Sequence, residues 1–332
     1  MTFPLVSIIL PTYNRAEWLP KSIGSVLNQT YQSWELIIWD DGSADATQEV
    51  LQQFQNKDNR IRCFRAENHG KSFALNQALK YAEGEFIAFL DDDDEWVPEK
   101  IQIQVDIMCR YPQIDLLFTN FHNRNSTTEQ VKNYFEHVGS ILERLETKEL
   151  SAGLFLIASG IPESLLITNF VLPSSTIIKK DCYEKVGNFN EQLRVGEDLE
   201  YWWRMSLEQY LFAYADALLL TRNKHPNSAS SFSPRTYLSL LKTLEHCSQR
   251  AQEHGREDLQ AYFKPAFLNA WQQLILLYGM QNVRTKALNA FAKSTRYGLA
   301  LRSVYLFVAA MFGRSFIESV QKHRYGILRR FS

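Results

Sequence analysis

Apolar runs and polar stretches take turns through the first 120 residues. The runs LVSIIL (5–10), WELIIW (34–39), IRCFR (61–65), EFIAFL (85–90) and IDLLFT (114–119) are short and nearly continuous, the pattern of strands buried on both faces. Between them, residues 15–28, 45–55, 71–82 and 98–109 space their apolar positions as helices do. This alternation predicts an α/β fold, a mostly parallel sheet sandwiched by helices. Ligands of such sheets sit beyond the carboxyl ends of the strands. The polar residues that follow each apolar run therefore converge on one edge. They are Pro11, Thr12, Tyr13 and Asn14; then Asp40, Asp41, Gly42 and Ser43; then Glu67 to Lys71; then Asp91 to Asp94.

Further along, the pattern changes. Residues 120–170 are less regular and read as an insertion facing the site. VLPSSTIIKK (171–180) reads as a strand, a turn leads into a helix that starts near Glu197, and YLFAYADALLLTRNKHPNS reads as one or two more strands. From about Pro234 onward the spacing is helical with no strand signal. The expected organisation is a domain over 1–232 and a helical C-terminal region over 233–332.

Composition narrows the classes. A chain of 332 residues, 45% hydrophobic, is long enough for a substantial core plus an appendage. Its net charge of -1 gives no nucleic-acid footprint. Residues 281–332 nevertheless hold ten Lys and Arg against the single acid Glu318, so an acidic body carries a basic tail. Four cysteines, Cys63, Cys109, Cys182 and Cys247, form no CxxC pair; neither a zinc knuckle nor a disulfide framework is indicated, and a cytoplasmic location is expected. The opening MTFPLVSIILPTYNR has no basic leader region, and Pro11 ends its apolar run, which makes it a strand rather than a signal peptide. No stretch reaches the roughly 20 apolar residues of a membrane span. GxGxxG and GxxxxGK[ST] are both missing, which removes the dinucleotide and P-loop readings.

The chemistry gathers at EFIAFLDDDDEWVPEK. Carboxylates are seldom buried without compensation, so four aspartates at the end of a buried strand suit a cation held among them. Hard oxygen ligands favour Mg2+ or Mn2+, completed by phosphates and water. The plainer reading is a solvated acidic loop capping the helix near Pro98.

Three ordered segments decide between these readings: VSIILPTYNRAEWLPKSIGSVLNQTYQSWELIIWDDGSADAT, ENHGKSFALNQALKYAEGEFIAFLDDDD and VGNFNEQLRVGEDLEYWWRM. Together they resemble the family 2 inverting glycosyltransferases, whose fold is the Rossmann-like GT-A type. The resemblance implies metal-dependent, inverting, non-processive transfer of a sugar from a nucleotide-diphospho-sugar, UDP-linked in most of the family, to an acceptor hydroxyl. A surface polysaccharide or lipid-linked glycan is the acceptor it suggests. Residues 1–120 would be the nucleotide-binding half and 121–232 the acceptor-side half. Pro11, Thr12, Tyr13, Asn14, Asp40, Asp41, Lys71, Asp91 and Asp92 would bind the nucleotide-sugar. Asp93, Asp91 and His225 would hold Mn2+ or Mg2+.

In GEDLEYWWR the resemblance makes Asp198 the general base that removes the acceptor's proton, with Glu197 orienting it or binding acceptor hydroxyls. The plainer reading has both as first-turn acids favoured by the helix dipole. Trp202 and Trp203 fit core packing better than sugar binding. The QxxRW motif of processive relatives does not occur. The basic tail can lie on an anionic membrane surface, placing the protein peripherally on the inner membrane face, or its helices can pack with solvated bases. A catalytically silent scaffold protein of the same fold is the alternative to an enzyme.

Overall fold

The computed structural model describes residues 3–125, 131–225, 232–298 and 300–313. The chain divides into two compact units, Met1–Ser228 and Ala229–Ser332.

Among the described residues, eleven strands of the first unit join one sheet. In chain order they are β1 (Val6–Thr12), β2 (Trp34–Asp40), β3 (Ile61–Arg65), β4 (Phe86–Phe89), β5 (Glu95–Trp96), β6 (Leu116–Asn125), β7 (Val131–Asn133), β8 (Glu146–Ser151), β9 (Leu154–Ser159), β10 (Ile177–Lys179) and β11 (Phe212–Lys224). The main order is β3-β2-β1-β4-β10-β6-β11-β9-β8. The first four pair in parallel, as do β6 and β11. Every residue of β1 and β2 is buried, which is why their sequences do not alternate. Helices Leu19–Leu27, Thr47–Gln55, Lys71–Leu79 and Lys100–Arg110 connect the parallel strands, as the spacing predicts.

One segment departs from its sequence reading. Of residues 171–180, only Ile177–Lys179 is strand, and it runs antiparallel to both neighbours. Pro173–Ser175 is a single 3-10 turn. Its polar groups are used elsewhere: the Asp91 amide donates to Ser174 Oγ at 3.0 Å, and Trp96 Nε1 donates to the Ser174 carbonyl at 2.8 Å. Supporting the Asp91–Asp94 loop takes those groups out of any ladder.

The second unit contains helices Pro234–Glu253, Gln260–Met280, Arg284–Ser294 and Leu301–Phe312, with no strand among its described residues. Ser233 caps the first through Oγ to the Thr236 amide, with Pro234 at the first helical position, a strong start signal. Leu241, Leu244, Cys247, Phe263, Leu274 and Ile275 form its core. No helix among the described residues is long and apolar enough to cross a membrane. Arg314, Glu318, Lys322, Arg324, Arg329 and Arg330 lie outside the described residues.

Candidate active site

Parallel pairing of β1, β2 and β4 brings their carboxyl ends to one edge. Pro11 and Thr12 are buried there, while Tyr13 is exposed. Asn14 turns the chain with φ 53°, and its side chain accepts from the Ala44 amide at 2.7 Å. The Asn14 amide in turn donates to Ser43 Oγ at 2.8 Å. The loops after β1 and β2 are thus locked together.

Asp40 and Asp41 are both buried but differently used. Asp41 accepts the His69 amide at 2.9 Å on one oxygen and the Gly70 amide at 2.8 Å on the other. It holds the loop that delivers Lys71. Asp40 Oδ1 accepts from the Ser43 amide at 2.9 Å, and Oδ2 lies 3.5 Å from Arg65 Nε. Gly70 has φ 102°, and a Cβ there would collide with the Arg194 guanidinium; glycine alone fits.

The four aspartates after β4 also divide. Asp91 Oδ1 accepts from Lys71 Nζ at 2.6 Å. Asp92 Oδ1 lies 3.5 Å from Arg15 Nε. Asp93 Oδ2 sits 2.9 Å from His225 Nε2. Asp94 is buried; its Oδ2 has no hydrogen-bond partner among the described residues. Burial, with Asp93 beside it, pushes Asp92 up to about 7, and the same causes hold Asp94 well above the carboxylate range.

Helix Glu197–Leu207 begins after Gly196, which is left-handed at φ 85°. The preceding loop is pinned to helix Lys71–Leu79 by Ser72 Oγ to the Leu193 carbonyl at 3.0 Å and by Asn76 Nδ2 to the Phe189 carbonyl at 2.9 Å. Glu197 and Asp198 consequently face β4. Lys71 Nζ lies 3.4 Å from Glu197 Oε1 as well as on Asp91. Asp198 accepts from Asn169 Nδ2 at 2.9 Å and from the Leu199 amide at 2.8 Å. Burial pushes Glu197 up to about 7 and raises Asp198, against the opposing pull of Lys71 in each case. Pro11, Lys71, Asp91, Glu197, Asp198 and Trp202 line one cleft.

The donor chemistry fits a divalent ion. Among the described residues no three His, Cys, Asp or Glu side chains group closely enough to hold a metal by themselves. A small hard cation, however, keeps waters and takes substrate phosphates, so two protein ligands are enough. Asp93 Oδ2 and His225 Nε2, 2.9 Å apart, are the donor types such an ion takes. Asp94 Oδ2 is a buried oxygen with no hydrogen-bond partner among the described residues, and burial, with Asp93 beside them, raises Asp92 and Asp94.

Sequence reading missed several participants. Trp18 stacks on His225 with ring centroids 4.8 Å apart and planes at 20°. Arg15 and Asn169 carry no motif signal. Trp202 and Trp203 are fully buried and donate to the Val171 and Pro162 carbonyls; they are core residues, although Trp202 forms part of the cleft floor.

A mostly parallel sheet flanked by helices, with carboxylates at two strand ends and a second acidic pair on the same cleft, has the GT-A type fold. Residues 7–166 match the model of Glycosyl transferase family 2. A glycosyltransferase of Methanocaldococcus jannaschii is 30% identical over 250 residues, 73% of this chain and 76% of that protein. The chain belongs to glycosyl transferase family 2. The Escherichia coli enzyme WfgD, a UDP-Glc:alpha-D-GlcNAc-diphosphoundecaprenol beta-1,3-glucosyltransferase, is 44% identical over 125 residues, 37% of this chain. That match spans 48% of WfgD, about half its length. The mannosyltransferase PcManGT of Pyrobaculum calidifontis, solved with GDP-Man and Mn2+, superposes with a TM-score of 0.61 at 16% identity, covering 98% of this chain and 86% of that one; it supports the fold.

Proposed function

We propose that the protein transfers a glycosyl group from a nucleotide-diphospho-sugar, UDP-linked, to the hydroxyl of a growing surface polysaccharide or lipid-linked glycan, with inversion. The observation that carries this reading is the single cleft shared by Asp91, Lys71, Glu197 and Asp198. WfgD's UDP-Glc donor and diphosphoundecaprenol-linked acceptor support the substrate classes.

In the proposed reaction Asp198 accepts the proton of the acceptor hydroxyl as its oxygen attacks the anomeric carbon. The bond from that carbon to the diphosphate breaks on the opposite face, and the nucleoside diphosphate leaves with the electron pair. One displacement inverts the centre. Burial makes Asp198 a stronger base than an ordinary aspartate, and a positioned base contributes about 100- to 10,000-fold in rate. Asn169 fixes its carboxylate. Glu197 binds acceptor hydroxyls or orients Asp198, and Lys71 holds it against Asp91.

Donor binding falls to the opposite edge. Tyr13 stacks on the base over Pro11, Thr12 and Asn14. Asp40, through Oδ2, accepts from base or ribose, while Asp41 acts indirectly by holding the 69–70 loop. Asp92 and Asp91 approach the ribose and donor sugar. Asp93, His225 and Asp91 would hold Mn2+ or Mg2+. The bound ion would neutralise charge on the departing diphosphate.

A thermal-shift panel of UDP, GDP and dTDP, each with and without Mn2+, tests the donor site. One nucleotide at a hundred times its Kd should add about 2.7 kcal/mol of stability, and more with the ion than without. No shift with any nucleotide refutes the donor reading. Transfer of sugar from UDP-sugars to diphospholipid-linked acceptors, followed by anomeric configuration in the product, tests the rest. A retained configuration would overturn the single displacement.

A further inference from the structure

The last helix of the described chain, Leu301–Phe312, packs on its unit through Ser303, Ala309 and Ala310. Gln272 Nε2 donates to Ser303 Oγ at 3.0 Å from the long helix Gln260–Met280. The side opposite is apolar and open. Leu301 is 91% exposed, Tyr305 48%, Val308 45% and Val304 37%. Positions 301, 304, 305 and 308 follow the i, i+3, i+4, i+7 rule, so they form one stripe. The stripe does not stop at the helix edge. Phe307 stacks on Phe291 of helix Arg284–Ser294 at 4.6 Å, and Leu288, one turn before Phe291, is 53% exposed.

Scattered exposed apolar residues need no explanation, but a continuous two-helix face does. Charge identifies what covers it. Residues 281–313 contain Arg284, Lys286, Lys293, Arg296 and Arg302 and no Asp or Glu. Arg284 lies one turn before Leu288 and Arg302 one turn before Tyr305, so guanidinium groups border the apolar stripe. A second copy of this face would bring Arg284 and Arg302 against their own counterparts, while Lys286 and Lys293 turn back over the Tyr278 and Trp271 rings. An anionic lipid surface answers both features, taking the apolar stripe below its headgroups and the bases among its phosphates.

We propose that the face formed by Leu288, Leu301, Val304, Tyr305 and Val308 seats this protein on an anionic lipid bilayer. The helix lies in the interface plane rather than crossing it. The inference stands apart from the donor chemistry, and its test does not read transfer.

The test is co-sedimentation of the full chain with vesicles of phosphatidylcholine containing 30 mol% phosphatidylglycerol, and with pure phosphatidylcholine, at low salt. Binding to the anionic vesicles is expected, weaker by tenfold or more on the neutral ones. Val304→Asp with Val308→Asp should cut the anionic-vesicle affinity by about tenfold or more, since two side chains leave the hydrocarbon boundary. Arg284→Glu with Arg302→Glu should weaken binding at low salt and matter less at high salt. All four positions are exposed, and unchanged circular dichroism and melting curves confirm folded variants. A chain that stays in the supernatant with anionic vesicles overturns the proposal. So does a concentration-dependent dimer, in sedimentation equilibrium, that the valine variant disperses while vesicle binding is unaffected.

Discussion

The loop Asp91–Asp94 holds four carboxylates answered by Lys71, Arg15 and His225. The start of helix Glu197–Leu207 holds two, Glu197 and Asp198, answered by the same Lys71 and by the Asn169 amide. Both clusters are pushed toward the protonated state by burial. Their unmet groups differ. The loop keeps a buried oxygen, Asp94 Oδ2, with no hydrogen-bond partner among the described residues, while Asp198 is held by the Asn169 side chain and the Leu199 amide. A buried carboxylate oxygen left without a partner suits a cation, and a carboxylate raised by burial suits a proton. On the proposed function the first division serves the diphosphate and the second the acceptor hydroxyl.

The strongest way to break this comparison is to remove one carboxylate from each side. Asp198→Asn should lower kcat by about 100- to 10,000-fold with nucleotide binding retained. Asp93→Asn should abolish the dependence of nucleotide binding on Mn2+ in a thermal-shift assay, and transfer with it. If Asp93→Asn left that dependence intact, the loop would lose its cation role. Full activity in Asp198→Asn would remove the base.

Lys71 serves both clusters, so Lys71→Met sharpens the contrast. Loss of two charged contacts should cost about 2 kcal/mol in urea unfolding. Its charge also pulls the pKa of Asp198 and Glu197 down. Without it the rising limb of kcat against pH, which reports ionisation of the base, should move to higher pH. A limb that moved down would contradict the assignment.

Glu197 gives a smaller signature. Its folded pKa, about 7, is above the ordinary 4.5, so the folded protein holds this proton more tightly than the unfolded chain. The resulting stability is fully present below about pH 4.5 and is lost as pH rises through 7. Glu197→Gln should therefore flatten the fall of Tm across that window. The smallest effect is expected from Trp18→Leu. Losing the stack on His225 should cost about 0.5–1.5 kcal/mol and weaken Mn2+ binding modestly, with kcat at saturating Mn2+ nearly unchanged.

Local pattern carried much of this architecture. Continuous apolar runs made β1, β2, β4 and β6 legible, because a strand covered on both faces has no polar side to show; β3, expected to be buried, is the edge strand and is buried only at Ile61. The strand ends then placed Asp40 and Asp91–Asp94 on one edge, and the acids of GEDLEYWWR at a helix start, before any coordinates were needed. Segment 171–180 misled because its Val, Leu and Ile suit a strand, while Pro173 starts a tight turn and Ser174 is committed to a loop some 80 residues away in sequence. The division of labour within the acidic groups was equally hidden. Nothing in DDGS says that Asp41 is spent on two backbone amides while Asp40 keeps an oxygen beside Arg65. Nothing in DDDD says which aspartate meets Lys71 and which meets His225.

Sequence alone thus determined which residue types stand at the strand ends, since hydrophobic periodicity and the direction of a parallel sheet are properties of neighbouring positions. Tertiary structure decided their partners. Lys71 reaches Glu197, Asn169 reaches Asp198, and Asp93 reaches His225 across gaps of 29 to 132 residues. Contacts of that span follow from how the helices and loops pack over the sheet, and the charge left over after packing defines the site.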